Sequence, residues 1–356
     1  MLQLAQIIQA ALGDGTVSGG SDVHLIYGLP PRIRRDGRLF DLPGVLPLTD
    51  EECEAYAREL AGDERFEKTA GIGEIDLART YGGVRIRGNV FWQQGHVSCA
   101  IRLLRDEIPT LESLGLPAVV STFPDLRRGV VLVTGVTGSG KSTTLAAILQ
   151  RINESRPDHI ITLEDPIEYV YHPRKCAINQ REIGHDTASY ADGLRAILRE
   201  DPDVILIGEM RDLETIEIAL TAAETGHLVF ATLHTASAPD SIDRIVEAFP
   251  TGKQKQIRMQ LSQTLMAVLS QQLLPVAGGV GRICACEVMM VNHAIRNLIR
   301  EGKTPQIANS LATSAEEGSV TMDNALLRLV AAKVITPETA LKAARDPEQL
   351  AQNFAR

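Results

Sequence analysis

Aromatic side chains are scarce in this chain, at 4% of its residues. Proteins that hold single-stranded nucleic acid stack bases on aromatic platforms along a basic groove. The charge balance is also wrong for such a groove, because 36 Lys+Arg stand against 45 Asp+Glu, a formal net charge of −9. No nucleic-acid partner is expected. No apolar run is long enough to span a bilayer, so any work at a membrane is that of a peripheral subunit. The opening stretch, Met1 to Leu12, has no basic n-region and reads as an amphipathic helix rather than a secretion signal. The five cysteines, Cys53, Cys99, Cys176, Cys284 and Cys286, include no C-x-x-C pair, which removes the usual zinc spacing. Their odd count without a framework suits a reducing cytoplasm. Cys284 and Cys286 lie in the apolar run Ile283 to Met290, where they share one face of a strand and read as buried thiols rather than a metal or redox pair.

What is present is ordinary globular material, 44% hydrophobic and 23% charged over 356 residues, enough for about two domains. Residues 1–104 read as an α+β module. A helix over residues 1–12 is followed by a Gly/Ser-rich loop from Gly13 to Ser21 and a short strand from Val23 to Tyr27. Pro30-Pro31 then precedes one extended run, Arg32 to Phe40. Thr49 to Leu60 reads as a helix with Thr49 as N-cap and Glu52 closing a capping box. Strand-like runs follow at Ile72 to Tyr81, Gly83 to Gln93 and Val97 to Leu104. Residues 105–117 read as an interdomain connection. From residue 118 to 356 short β-runs alternate with helical stretches: Val130 to Thr134, Ile160 to Leu163, Val204 to Ile207, Leu228 to Thr232 and Arg282 to Val288. That alternation predicts a largely parallel sheet covered on both faces, with ligands at the carboxyl ends of its strands. The last ~60 residues read as mostly helical.

Residues 135 to 142 read Gly-Val-Thr-Gly-Ser-Gly-Lys-Ser, which fits G-x-x-x-x-G-K-[ST]. The motif lies between the run Val130 to Thr134 and the helix-like Thr143 to Gln150, and this strand-loop-helix setting makes it a phosphate site. Glycines let backbone amides converge on an anion, and a helix N-terminus adds partial positive charge. Gly135, Val136, Thr137, Gly138, Ser139, Gly140, Lys141, Ser142 and Thr143 are therefore the candidate nucleotide-binding residues. Lys141 is placed to reach the β/γ-phosphates and Ser142 to offer its hydroxyl to Mg²⁺, making ATP and Mg²⁺ the expected cofactors.

Two apolar strands end in acids: Ile160 to Leu163 runs into Glu164-Asp165, and Val204 to Ile207 into Gly208-Glu209. In a P-loop sheet such acids hold a magnesium-bound water or orient the attacking water. Glu164 and Glu209 are expected to share these two roles, with Glu209 on Mg²⁺ directly or through water. Which acid is the base is left open by the spacing. His227 and His234 lie at the two ends of a strand, and His234 falls at the nucleotide edge, where a histidine could sense the γ-phosphate or a neighbouring subunit. Arg85 and Arg87 share a strand face, and Arg102 lies on another strand of the same module; spacing alone reads them as a solvated basic face.

Taken together these segments resemble the secretion ATPase superfamily of bacterial type II secretion and type IV pili. The resemblance rests on Ser21-Asp-Val-His24, the P-loop, Ile161-Thr-Leu-Glu-Asp-Pro-Ile-Glu168, Leu206-Ile-Gly-Glu-Met-Arg-Asp212 and the histidine box from Thr225-Gly-His to Leu233-His-Thr235. Ala294-Ile-Arg-Asn-Leu-Ile-Arg-Glu-Gly-Lys303 is similar to a segment of the pilus retraction motor. By periodicity this is an amphipathic helix with a stripe of Ala294, Ile295, Leu298 and Ile299, ended by Gly302. The resemblance implies a PAS-like α+β N-terminal domain followed by a RecA-like P-loop ATPase domain. It implies a homohexamer with ATP held between the two domains and against the next subunit. It also turns Arg87 and Arg102, with Arg85 beside them, into arginine fingers. Extension and type II motors usually add an N-terminal region and a tetracysteine module; this sequence shows neither. The expected function is an ATPase driving type IV pilus retraction, cytoplasmic and peripheral at the inner membrane, with a membrane platform protein as partner. The alternatives are an accessory pilus or secretion ATPase, or a nucleic-acid translocase.

Overall fold

A computed structural model describes residues 2–13, 20–35, 38–69, 73–81, 83–104, 107–279 and 281–354. Most of the expected Gly/Ser-rich loop, the first residue of the run expected from Ile72 and the start of the expected connection, residues 105–106, lie outside the described residues. The chain packs as two units, Met1–Glu107 with Pro166–Val170, and Ile108–Asp165 with Tyr171–Arg356.

In the first unit the order is α1 (Leu4–Leu12), β1 (Asp22–Leu25), β2 (Arg32–Arg35), β3 (Arg38–Asp41), α2 (Asp50–Ala61), α3 (Asp63–Lys68), β4 (Glu74–Tyr81), β5 (Val84–Gln93) and β6 (His96–Leu103). The strands form one antiparallel sheet in the order β3-β2-β1-β6-β5-β4. The single extended run expected from Arg32 to Phe40 is two strands, β2 and β3, paired antiparallel so that Ile33 faces Phe40. The helix α2 starts where its capping box predicts: Glu52 N donates to Thr49 Oγ1 and Thr49 N to a Glu52 carboxylate oxygen at 3.0 Å. In β5 the alternation is strict: Val84, Ile86, Gly88 and Val90 are buried while Arg85, Arg87 and Asn89 stand on the other face. The buried face joins Leu4, Ile7, Ile8, Tyr56, Leu60 and Ile101 in one core.

The second unit contains β7 (Gly129–Thr134), α4 (Lys141–Ser155), β8 (His159–Glu164), β9 (Ala177–Glu182), α5 (Tyr190–Ile197), β10 (Val204–Ile207), α6 (Leu213–Glu224), β11 (Leu228–Leu233), α7 (Ala238–Glu247), α8 (Thr251–Thr264), β12 (Leu265–Pro275), β13 (Arg282–Met290), α9 (His293–Glu301), α10 (Ile307–Thr313), α11 (Met322–Ala331), α12 (Pro337–Ala343) and α13 (Pro347–Phe354). Its sheet runs β13-β12-β7-β11-β10-β8-β9, parallel throughout except for the antiparallel β12–β13 pair. Every residue of β7, β10 and β11 is buried, the pattern of strands covered on both faces. Two strands were not legible in the residues, β9 and β12. The first is a polar edge strand. The second follows α8 with no turn residue between, Leu265 being both the C-cap of α8 and the first residue of β12. The long β12–β13 pair matters below, because β12 lies directly against β7.

The segment from Ala294 to Lys303 is the helix α9, capped by Asn292, whose side chain accepts from Ile295 N at 2.9 Å, and ended by Gly302 in the left-handed region at φ 69°. Its buried stripe is narrower than periodicity suggested: Ile295 and Ile299 are buried and Leu298 packs beside them, but Ala294 is exposed. Arg296 does not face open water. Its guanidinium donates to Ser262 O at 2.7 Å and Gln263 O at 3.0 Å, tying α9 to the last turn of α8. Burial there pulls its pKa below the usual arginine value.

Candidate nucleotide site

The carboxyl end of β7 runs into the glycine-rich loop, and three of its glycines take backbone angles that side chains resist: Gly135 at φ 140°, Gly138 at 79° and Gly140 at 95°. At Gly135 the need is also spatial, since an added Cβ would come within 2.4 Å of Gln271 O and 2.6 Å of Ser139 Oγ. Around Gly138 nothing lies within 4 Å of such an atom. Gly140 caps α4 without any side-chain hydrogen bond, so the helix N-terminus turns backbone amides toward the loop. Ser139 Oγ is buried without a hydrogen-bond partner among the described residues. Lys141 is 9% exposed, and its ammonium donates to Gly135 O at 2.8 Å and Val136 O at 3.2 Å. Ser142 is exposed and Thr143 half-buried, while Val136 and Thr137 lie on the outer side of the turn. A cradle of amides, a buried cation and a hydroxyl short of a partner fit a polyphosphate, and the exposed Ser142 hydroxyl fits a divalent cation beside it.

The sheet order decides what stands next to the loop. The direct neighbour of β7 on one side is β11, then β10, then β8. Gly135 N donates to Leu233 O at 3.3 Å, so the loop is anchored to the residue before His234. Gly208 N donates to Leu163 O at 2.8 Å, bringing the ends of β10 and β8 together. The approach is close there, since a Cβ at residue 208 would lie 3.1 Å from Leu163 O and 2.9 Å from Tyr190 Oη. Half-buried beside the acids Asp165, Glu209 and Glu164, the Tyr190 hydroxyl has its pKa raised, chiefly by desolvation.

The two acids sit in different surroundings. Glu164 is 9% exposed, and its Oε1 accepts from Thr162 Oγ1 at 2.7 Å and Gln180 Nε2 at 3.1 Å. Glu209 meets Arg211 Nε at 2.8 Å through one oxygen and His234 Nε2 at 3.2 Å through the other. The structure therefore brings Glu209 and His234 together, a pairing not foreseen from their positions at strand ends. It adds Arg211, whose guanidinium pKa is raised by its hydrogen bond to Glu209 and by that carboxylate's charge. Arg211 lies within the Leu206–Asp212 segment, but nothing in the residues gave it a role of its own. By contrast His227, at the other end of β11, is occupied locally, with Nδ1 2.8 Å from Ala222 O.

On the far side of the loop is β12. Thr134 Oγ1 donates to Ser270 Oγ at 2.9 Å, and Gln271 Nε2 donates to Thr144 Oγ1 at 2.8 Å. Gln271, 1% exposed, thus supports the first turn of α4 through its side chain, while its backbone carbonyl lies close against Gly135. It was missed because β12 itself was missed.

Arg87 and Arg102 belong to the first unit, directly opposite each other across β5 and β6. They line a shallow pocket of about 210 Å³ with Asp22, His24, Asp76 and Asn89. Arg102 Nε donates to Asp22 Oδ1 at 3.0 Å and is otherwise 64% exposed. Burial pushes the Asp22 carboxyl up, but hydrogen bonds from Ser21 and Arg102 and the Arg102 charge hold it below its ordinary range. His24, on the same strand as Asp22, is kept below its usual pKa by burial and by the charge of Arg34. Arg85 points elsewhere, its guanidinium 3.4 Å from Ile167 O.

A glycine cradle and buried lysine at the carboxyl edge of a parallel sheet, with acids at neighbouring strand ends, define a P-loop nucleotide-binding protein. The chain belongs to the type II/IV secretion system protein family, whose model matches residues 98–340. It is 46% identical over 333 residues to the type IV pilus retractation ATPase PilT of Pseudomonas aeruginosa, covering 93% of this chain and 96% of that protein. It is 44% identical over 320 residues to the twitching motility protein of Neisseria gonorrhoeae, covering 90% of this chain and 85% of that one. Among solved structures, that of the pilus retraction motor PilT with bound ADP superposes with a TM-score of 0.91 at 47% identity, covering 99% of this chain and 100% of the other.

Proposed function

We propose that this chain is an ATP-hydrolysing motor that drives type IV pilus retraction, and with it twitching motility. The observation that carries the reading is the loop from Gly135 to Ser142, shaped for a polyphosphate, in a chain similar over 93% of its length to a retraction ATPase. The β- and γ-phosphates take amides of the glycine-rich loop and the first turn of α4, and Lys141 turns from the Gly135 and Val136 carbonyls to phosphate oxygens. Ser142, with Glu209 directly or through water, would hold Mg²⁺, which when bound supplies positive charge against the transferring phosphoryl group. Glu164 and Glu209 divide the work of orienting water and completing the cation site. His234, with Nε2 3.2 Å from a Glu209 oxygen, positions that carboxylate and links it to the loop through Leu233. Arg87 and Arg102 are the fingers that stabilise charge developing on the phosphoryl group in the assembled ring.

The working form is a homohexamer in the cytoplasm, peripheral at the inner membrane, with a pilus platform protein as partner. Among the described residues no helix is long and apolar enough to cross a membrane. Deleting the gene tests the direction of the motor. Excess surface pili that no longer retract support retraction; a bald surface would mean an assembly motor and overturn the proposal.

A further inference from the structure

Cys284 and Cys286 stand on one face of β13, and their sulfurs are 3.4 Å apart. Gln271 Nε2 reaches Cys284 Sγ at 3.3 Å, and the same amide group holds Thr144 Oγ1 at 2.8 Å in the helix that follows the phosphate loop. Leu273, paired with Cys284 across the β12–β13 ladder, lies 3.7 Å from where a Cβ on Gly140 would be. The dithiol is therefore one side chain behind the nucleotide loop. We propose that Cys284 and Cys286 form a peroxide-sensitive oxidation site whose disulfide weakens nucleotide binding; this effect on binding rests on the function proposed above.

The other cysteines are poorer targets. Cys53, Cys99 and Cys176 are buried, and burial pushes each thiol up, Cys53 to about 11. Cys284 alone is half-exposed, on the edge strand of its sheet. A hydrogen bond from Cys286 pulls its thiol pKa down against the opposing effect of burial, and donating that bond, together with burial, pushes Cys286 up. This gives an attacking sulfur and a resolving one. The Cys284 sulfur attacks one oxygen of hydrogen peroxide, the O–O bond breaks, and the leaving hydroxide takes the thiol proton as water. Cys286 then attacks the sulfenic sulfur, the S–O bond breaks, and the hydroxyl leaves with the Cys286 proton as a second water. Two thiols lose two electrons, and one peroxide becomes two waters.

Closing the bond draws the sulfurs in to roughly 2.05 Å. Cys284 Sγ is then drawn away from Gln271 Nε2, and the amide that props Thr144 loses its second anchor. Same-face neighbours on a strand sit roughly 6.6 Å apart at Cα, near the upper limit for a disulfide, which favours a bond that reductants reopen.

The test treats the full-length protein with hydrogen peroxide and follows it by peptide mass spectrometry and by binding of a fluorescent ADP. Expected is a Cys284–Cys286 link that dithiothreitol reverses, with ADP binding about fivefold weaker in the linked form, the scale of one disturbed hydrogen bond. In C286S a sulfenic acid at Cys284 is trapped by dimedone; C284S forms neither product. Absence of the link in the unsubstituted protein, oxidation at Cys53, Cys99 or Cys176 ahead of Cys284, or a link with unchanged ADP affinity overturns the proposal. Reduced protein that binds no ADP overturns the functional reading instead, and the mass spectra still decide the thiol chemistry.

Discussion

The loop glycines are not equivalent, and alanine substitution at two of them separates backbone strain from steric conflict. Gly135→Ala places a methyl group 2.4 Å from Gln271 O and 2.6 Å from Ser139 Oγ, at φ 140°. The carbonyl cannot retreat easily, because β12 is paired to β7 up to Ser270 and Thr134. Gly138→Ala lies at φ 79°, close to the left-handed region, and meets nothing within 4 Å. Left-handed strain costs about 1–2 kcal/mol at Gly138, and the strain at Gly135 is at least as large. The overlap at Gly135 adds about 1–3 kcal/mol, the usual cost of forcing an extra methyl into packed structure. The expected gap is therefore about 2 kcal/mol, or roughly 4–8 °C in the melting midpoint for a unit of this size. Thermal unfolding of both variants, followed by circular dichroism, measures it. Equal midpoints, or a lower one for Gly138→Ala, would refute the assignment of Gly135 as the point where loop and β12 backbones touch.

Three further outcomes follow from the geometry. Glu164→Gln and Glu209→Gln separate the two acids: the one that orients water loses turnover by about a hundredfold or more with ADP affinity intact, and the one that serves the cation loses Mg²⁺-dependent affinity; steady-state turnover with ADP titrations at varied Mg²⁺ checks this, and both variants falling into one class would contradict the proposed division of roles. Arg87→Ala and Arg102→Ala keep nucleotide binding but lower ATP turnover by about 10³-fold, the scale of an arginine finger; unchanged turnover would return them to a solvated face. Glu287 accepts from Ala238 N at 2.9 Å, and burial holds its carboxyl above the usual range. The folded chain then binds that proton more tightly than the unfolded one. Its stabilisation is complete below a pH of about 4.3 and declines as pH rises through the folded value. In urea titrations from about pH 4.5 to 8, Glu287→Gln should flatten this decline; a steeper decline would contradict the sign.

The phosphate loop was legible because its chemistry is contiguous in the chain: positive-φ glycines, a lysine and a hydroxyl within residues 135–142, bracketed by a strand and a helix. The capping box at Thr49 and Glu52 was legible for the same local reason. What lay beyond reach depends on strand pairing. An apolar run that continues from a helix without a turn, Leu265 to Leu269, has no period that separates strand from helix, so β12 and with it Gln271 went unseen. Polar β9 carries Gln180 to Glu164 with no hydrophobic signal. The same limit applied to the cysteines: their shared face on β13 was readable, but the 3.4 Å approach of their sulfurs and the amide between them and Thr144 belong to tertiary structure. The arginines were ambiguous on spacing. Their cross-strand pairing and the exposure of Arg102 are compatible with a finger, and only turnover measurements assign one.

The central claim is that hydrolysis at this loop pulls pili back into the cell. Fluorescently labelled pili followed on single living cells, with Glu209→Ala replacing the native residue on the chromosome, test it most directly. The account predicts cells that keep or gain pili and show no retraction events. Retraction at the unsubstituted rate would contradict it.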